Sequence, residues 1–165
     1  MVYIHPTAVV APNVKIGDGT YIGPFCIIGD PAEHRGKWLD HSDWNGDGVI
    51  IGENCVITGL VTIDAGTERP TELMPGCFVM KHAHIGHDCI IGPNVTIACG
   101  AKIGGHAVIG EGSNIGLNAV IHQRQVIKEG CMIGMGSVIT KKTETFPYRK
   151  YAGNPARDIG ENIKK

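Results

Sequence analysis

The segment Lys81-His82-Ala83-His84-Ile85-Gly86-His87-Asp88 places three imidazoles and a carboxylate within a few residues of each other. His106 and His122 follow at wider spacing, so most of the chain's eight histidines fall between residues 82 and 122. A neutral imidazole is the natural general base near pH 7. A backbone N–H aimed at a developing oxyanion is its usual companion in group transfer. Taken one at a time, each histidine reads better as a solvated turn residue. As a cluster they read as chemistry, provided the fold gathers them.

The elements that must gather them announce themselves by period. Every sixth residue from Val79 to Ile139 is a β-branched aliphatic: Val79, Ile85, Ile91, Ile97, Ile103, Ile109, Ile115, Ile121, Ile127, Ile133 and Ile139. Helices space apolar residues by three and four, and simple strands by two. Spacing by six marks a hexapeptide parallel β-helix, whose short strands climb around a filled core. A slim residue sits two places before nearly every anchor, with Gln125 as the exception, and Gly recurs one place after it. The same register opens the chain at Ile4, Val10, Ile16, Ile22 and Ile28, and returns at Ile51, Ile57 and Ile63. These anchors predict an all-β prism of about six eighteen-residue coils over residues 1–140, roughly 30 Å tall at ~4.8 Å per strand.

Two stretches leave the register. Residues 30–48 hold both tryptophans and many charges and read as a protruding loop; residues 64–74, with Pro70 and Pro75 near their end, read as a second. Residues 141–165 read as a basic C-terminal tail. Pro147, Gly153 and Pro155 exclude a long helix early in it, leaving room for a short one from about Pro155 to Lys164.

Coils of eighteen turn spacing into geometry. His87, Gly105 and Gln123 each lie two places past an anchor and eighteen apart, so they form one vertical column with neighbours ~4.8 Å apart. His84, His106 and His122 lie beside it. This edge is the expected active site, with glycine in the column offering an unobstructed N–H.

Composition narrows the alternatives. A formal charge of −1 gives no electrostatic case for nucleic acid or a membrane surface. No apolar run is long enough to span a bilayer, and no basic-then-apolar leader opens the chain, so a cytoplasmic protein is expected. Five of six cysteines (Cys26, Cys55, Cys77, Cys89, Cys131) occupy slim positions before anchors, which packing explains without disulfides. Asp43-Trp44-Asn45-Gly46-Asp47-Gly48 opens like a calcium loop, but Asn54 stands where the closing glutamate is needed, and the segment reads as a turn. A zinc reading through His82, His84 and His87 lacks the third-ligand spacing of γ-class carbonic anhydrases, so no metal site is assigned.

The segments KHAHIGHDCIIG, IGGHAVIG and AVIHQ, the opening IHPTAVVAPNVKIGDGTYIGPFCIIG, and VTIDAGT resemble, in order, the hexapeptide acyltransferases typified by UDP-N-acetylglucosamine acyltransferase. The resemblance covers about residues 4–155, including where the two loops leave the coil. It implies a left-handed helix and a homotrimer with its active site between subunits. It implies His87 as catalytic base, Asp88 as its orienting partner and Gly105 as oxyanion donor. His84, His106, His122 and Gln123 would line the substrate cleft, with Lys37 and Trp38 contributed by the first loop. The co-substrate would be an acyl thioester on acyl carrier protein or coenzyme A, the acceptor a sugar or UDP-sugar, and no tightly bound cofactor is expected. The chain departs from the family at Arg35 and Asp64, which replace an acidic and a basic position, and it ends at Lys165, so the family's C-terminal helical domain is expected to be absent. The ending YAGNPAR also resembles acetyl-CoA-dependent sugar N-acetyltransferases. That chemistry, and a binding trimer without catalysis, stay open beside the leading reading.

Overall fold

The computed structural model describes residues 1–33 and 46–163. Among these, strands of mostly two residues form three sheets of nine, seven and six strands. Strands three apart in sequence are neighbours in a sheet, so the chain visits each face once per coil. This is the three-faced left-handed parallel β-helix that the hexads predict.

The register is the one the anchors demand. Ile85 pairs with Ile63 below and Ile103 above, and Ile103 with Ile121. The anchors from Ile22 to Ile139 are buried, as are the slim residues before them. Each layer therefore packs a branched side chain on a near-identical one, while the residue preceding the anchor faces outward. Burying one such side chain is worth about 1.5–3 kcal/mol, so the column of anchors supplies much of the driving force.

Between strands the chain turns on two residues, the second commonly left-handed. Asp88, His106 and Arg124 have φ of 58°, 59° and 60°. Asn, Asp and His tolerate this region better than most side chains. The candidate edge is therefore built from turn residues whose backbone is fixed by the coil. No helix among the described residues is long and apolar enough to cross a membrane.

Three expectations need correction. The longest face carries eight parallel strands, more layers than six coils supply. Leu73 is an anchor, stacked between Ile51 and Ile91, and it escapes the count because the excursion before it breaks the spacing and leucine is not β-branched. Thr145 and Tyr151 then continue the hexads beyond Ile139: Thr145 is buried and its hydroxyl donates to the Val126 carbonyl, and Tyr151 stacks on Ile133. Next, the second loop is narrower than residues 64–74, since strands Thr62–Ala65 and Thr71–Leu73 leave only a turn between them. Finally, the tail forms no helix near Pro155. Ala156–Glu161 is a strand that returns antiparallel along Arg149–Gly153, pinned by two Arg149–Asp158 hydrogen bonds of 2.8 and 2.9 Å. The turn at Gly153-Asn154-Pro155 between the two strands suits a hairpin better than a helical turn. Most of the first loop lies outside the described residues.

Candidate active site

His87 is the second residue past the anchor Ile85, and its Nδ1 lies 2.6 Å from Asp88 Oδ2. Asp88 is fully buried. Its Oδ1 accepts the N–H groups of Thr67, Glu68 and Arg69 at 3.0, 2.8 and 3.0 Å, and its Oδ2 also accepts the Thr67 hydroxyl at 2.7 Å. Three successive backbone donors make a nest for the carboxylate. Burial alone would push this carboxyl up; the hydrogen bonds from His87, Glu68, Thr67 and Arg69 outweigh it and hold Asp88 well below the usual carboxylate range. An ionised Asp88 can only accept, so Nδ1 of His87 carries the hydrogen, and in the neutral ring Nε2 presents the lone pair.

That ring lies across Gly105. A β-carbon on Gly105 would sit 2.6 Å from His87 Nε2, so only glycine leaves the imidazole its place. The coil's backbone bonds use Gly104 N–H and His106 N–H, the latter donating to the His87 carbonyl at 2.8 Å. Gly105 N–H has no backbone acceptor among the described residues. His106 closes the group from the next coil. It meets His87 edge to face with ring centroids 5.0 Å apart, and its Nε2 lies 3.5 Å from Asp88 Oδ2.

The other predicted residues spread along the edge. His84 faces a pocket of about 240 Å³ lined by Asp30, Glu33, Thr62 and Asp64. Its Nδ1 is 2.8 Å from the Thr62 hydroxyl and its Nε2 is 3.7 Å from Asp64. Burial, then Lys102 and His87, lower the His84 pKa. Burial, with Glu33 and Asp30 adding to it against His87, raises the Asp64 carboxyl to about 7. His122 and Gln123 are exposed one coil above Gly105, with His122 Nδ1 2.8 Å from the Gln123 carbonyl. Lys37 and Trp38 lie outside the described residues.

Sequence reasoning missed the Thr67–Arg69 turn. The only trace of it is Gly66 and Pro70 bracketing three residues just before the His87 coil, and nothing in that spelling says that three N–H groups converge on one carboxylate. The ligand atoms of His87, Asp88 and His106 lie within 4.8 Å of one another, close enough for a metal ion. The donor set argues otherwise. Both Asp88 oxygens are already filled by hydrogen-bond donors, and a cation would have to displace them. The arrangement suits holding and moving a proton.

The chain matches the bacterial transferase hexapeptide family, described by six repeats, over residues 1–30 and 70–105. That match covers less than half of the chain. Its second stretch holds His84, His87, Asp88 and Gly105. A Campylobacter concisus acyl-[acyl-carrier-protein]–UDP-N-acetylglucosamine O-acyltransferase is 36% identical over 103 residues, which is 61% of this chain and 38% of that protein. The chain thus spans well under half the length of the curated relatives it matches. Among solved structures, a UDP-N-acetylglucosamine acyltransferase superimposes with a TM-score of 0.77 at 27% identity, covering 96% of this chain and 74% of that one. The Campylobacter jejuni enzyme of the same name gives 0.76 at 26% identity, covering 96% and 75%.

Proposed function

We propose that this chain is an acyltransferase that moves an acyl group from a thioester, on acyl carrier protein or coenzyme A, to a hydroxyl or amine of a sugar or nucleotide sugar. The observation that carries this reading is the His87–Asp88 contact of 2.6 Å with the imidazole lying over Gly105. Nε2 of His87 takes the acceptor's proton as the acceptor oxygen or nitrogen attacks the thioester carbonyl. The Gly105 N–H stabilises the oxyanion. Collapse of the tetrahedral intermediate breaks the carbon–sulfur bond, and the departing thiolate takes the proton back from the imidazolium. Base and free N–H on adjacent coils keep the two demands ~4.8 Å apart, the scale of one reacting carbonyl.

Lys141 continues the column of His87, Gly105 and Gln123, roughly 14 Å above His87. There it lines a groove of about 320 Å³ with Arg124, Lys128 and Lys142. A donor stretched along the edge would lay its phosphate against these cations. At the other end, the acidic pocket of Asp30, Glu33 and Asp64 beside His84 favours an acceptor that bears an amino group. This supports the N-acylating alternative as a second reading. The active unit is a homotrimer with the cleft between subunits, as the resemblance implies, and its free cysteines suit the reducing cytoplasm.

Purified protein is incubated with acyl-carrier-protein and acyl-CoA donors against a panel of UDP-sugars and amino sugars. Acylation of at least one sugar is expected. Absence of turnover with every pair would favour a binding trimer and overturn the enzymatic reading.

A further inference from the structure

The turn that cradles Asp88 is more elaborate than a coil needs. Gly66 opens it at a position where a β-carbon would meet the Arg69 carbonyl at 1.6 Å. Gly66 N–H and Thr71 N–H both donate to the Gly48 carbonyl, at 3.0 and 3.1 Å, and Asp47 N–H donates to the Gly66 carbonyl at 2.7 Å. The Arg69 guanidinium donates twice to the Asp88 carbonyl, at 2.9 and 3.2 Å, clamping the left-handed residue from behind. A turn so tied presents its donors in a fixed geometry.

We propose that Thr67 is a positioning residue for His87: its hydroxyl shares Asp88 Oδ2 with the imidazole, so the carboxylate orients the ring without holding it protonated. This rests on the reading of His87 as base. The physical reason is competition for one oxygen. A charge-assisted hydrogen bond from the Thr67 hydroxyl withdraws negative potential from the atom that faces Nδ1. Without the hydroxyl, the nest on Oδ1 and the His87 contact at Oδ2 still hold the carboxylate below its usual range. Without the hydroxyl, Oδ2 would act on His87 with its full charge and favour the imidazolium. The base form would then be depleted on the acid side of neutrality. The other charged groups facing this pair are His106 at Asp88 Oδ2, Arg69 on the Asp88 carbonyl, Glu68 in the turn, and His84 and Asp64 from the strands beside and below. All of them remain in a Thr67 variant, so the change isolates the hydroxyl.

The test compares Thr67→Val and Thr67→Ser, with Thr67→Ala in place of valine if the branched side chain disturbs folding. Two readouts are used. The first is the ring-proton NMR titration of His87, assigned by loss of its signal in His87→Gln, which needs no substrate. The second is kcat/KM against pH for any acyl transfer found. In Thr67→Val the His87 ring should stay protonated to higher pH than in the parent. Its kcat/KM should fall about three- to tenfold at pH 6 and within about twofold at pH 8.5, because a displaced acid limb acts only below it. Thr67→Ser should behave as the parent. An unmoved His87 titration in a folded Thr67→Val or Thr67→Ala protein would overturn the proposal, as would equal loss at both pH values. If no acyl transfer is found at all, the reaction reading fails while the NMR titration still decides the role of Thr67.

Discussion

At the scale of single residues, the candidate edge is a set of titrating groups whose neighbours pull them in different directions. Asp88 is kept ionised by its donors, while Asp64, close before that nest in sequence but receiving none of its N–H groups, is half-buried near other carboxylates and rises to about 7. The sign of the consequence follows from linkage. Asp64 binds its proton more tightly folded than unfolded, so ionising it costs stability progressively as pH rises from about 4 to about 7. Asp64→Asn removes that cost. Thermal melts should therefore show the variant gaining on the parent above pH 7, with the gap closing toward pH 4. A gap independent of pH would mean that Asp64 is not the group that titrates. The histidines themselves were legible in the sequence because each stands within a few places of an anchor on coils that stack in register. The nest under Asp88 was not legible, because its donors are backbone N–H groups, which no residue identity encodes.

At the scale of elements, the hexad does almost all the specifying. A two-residue strand has no stability of its own. It exists here because the anchor of each coil stacks on the anchors above and below, and a slip by one residue would turn every anchor outward. The cysteines report on that register. Cys26, Cys55, Cys77, Cys89 and Cys131 are buried, whereas Cys99 is half-buried at a turn. Burial pushes the Cys89 thiol up to about 12, which adds chemical inertness to steric protection. A thiol reagent should reach at most Cys99 in the native protein and the other five only after denaturation. Fast native labelling of several would place the register wrongly. The period was readable wherever anchors are β-branched and evenly spaced. It failed at Leu73, where an inserted turn shifts the count, and at Thr145 and Tyr151, where the anchor type changes but the stacking does not. The C-terminal hairpin was missed because Gly and Pro mark a break without saying which element follows.

At the scale of the whole molecule, a narrow prism exposes much of its outward-facing side chains. The first coils show Tyr3, Ile4, Val9, Tyr21, Phe25 and Ile27 at the surface, with Tyr3 and Tyr21 stacked at 5.1 Å between ring centroids. Tyr3 and Tyr21 lie on one face and Val9 and Ile27 on the next, and exposed apolar side chains in such numbers point to a partner. A closed cyclic trimer fits the resemblance and would bring a second chain to the histidine edge. Sedimentation at micromolar concentration should give three times the chain mass of 17.6 kDa. A monomer would remove the shared cleft from the account, though not the His87–Asp88 pair.

Steady-state kinetics of His87→Ala beside His106→Ala decide whether His87 is the base. The His87 side chain points out of the core, so the variant should fold, melting somewhat below the parent because buried Asp88 loses a hydrogen-bond partner. Its kcat should fall roughly 10²–10⁴-fold, the usual worth of a positioned base. His106→Ala, which removes a neighbour and not the base, should lose less. Retention of most activity in His87→Ala, with the larger loss in His106→Ala, would contradict the assignment and move the base to the next coil.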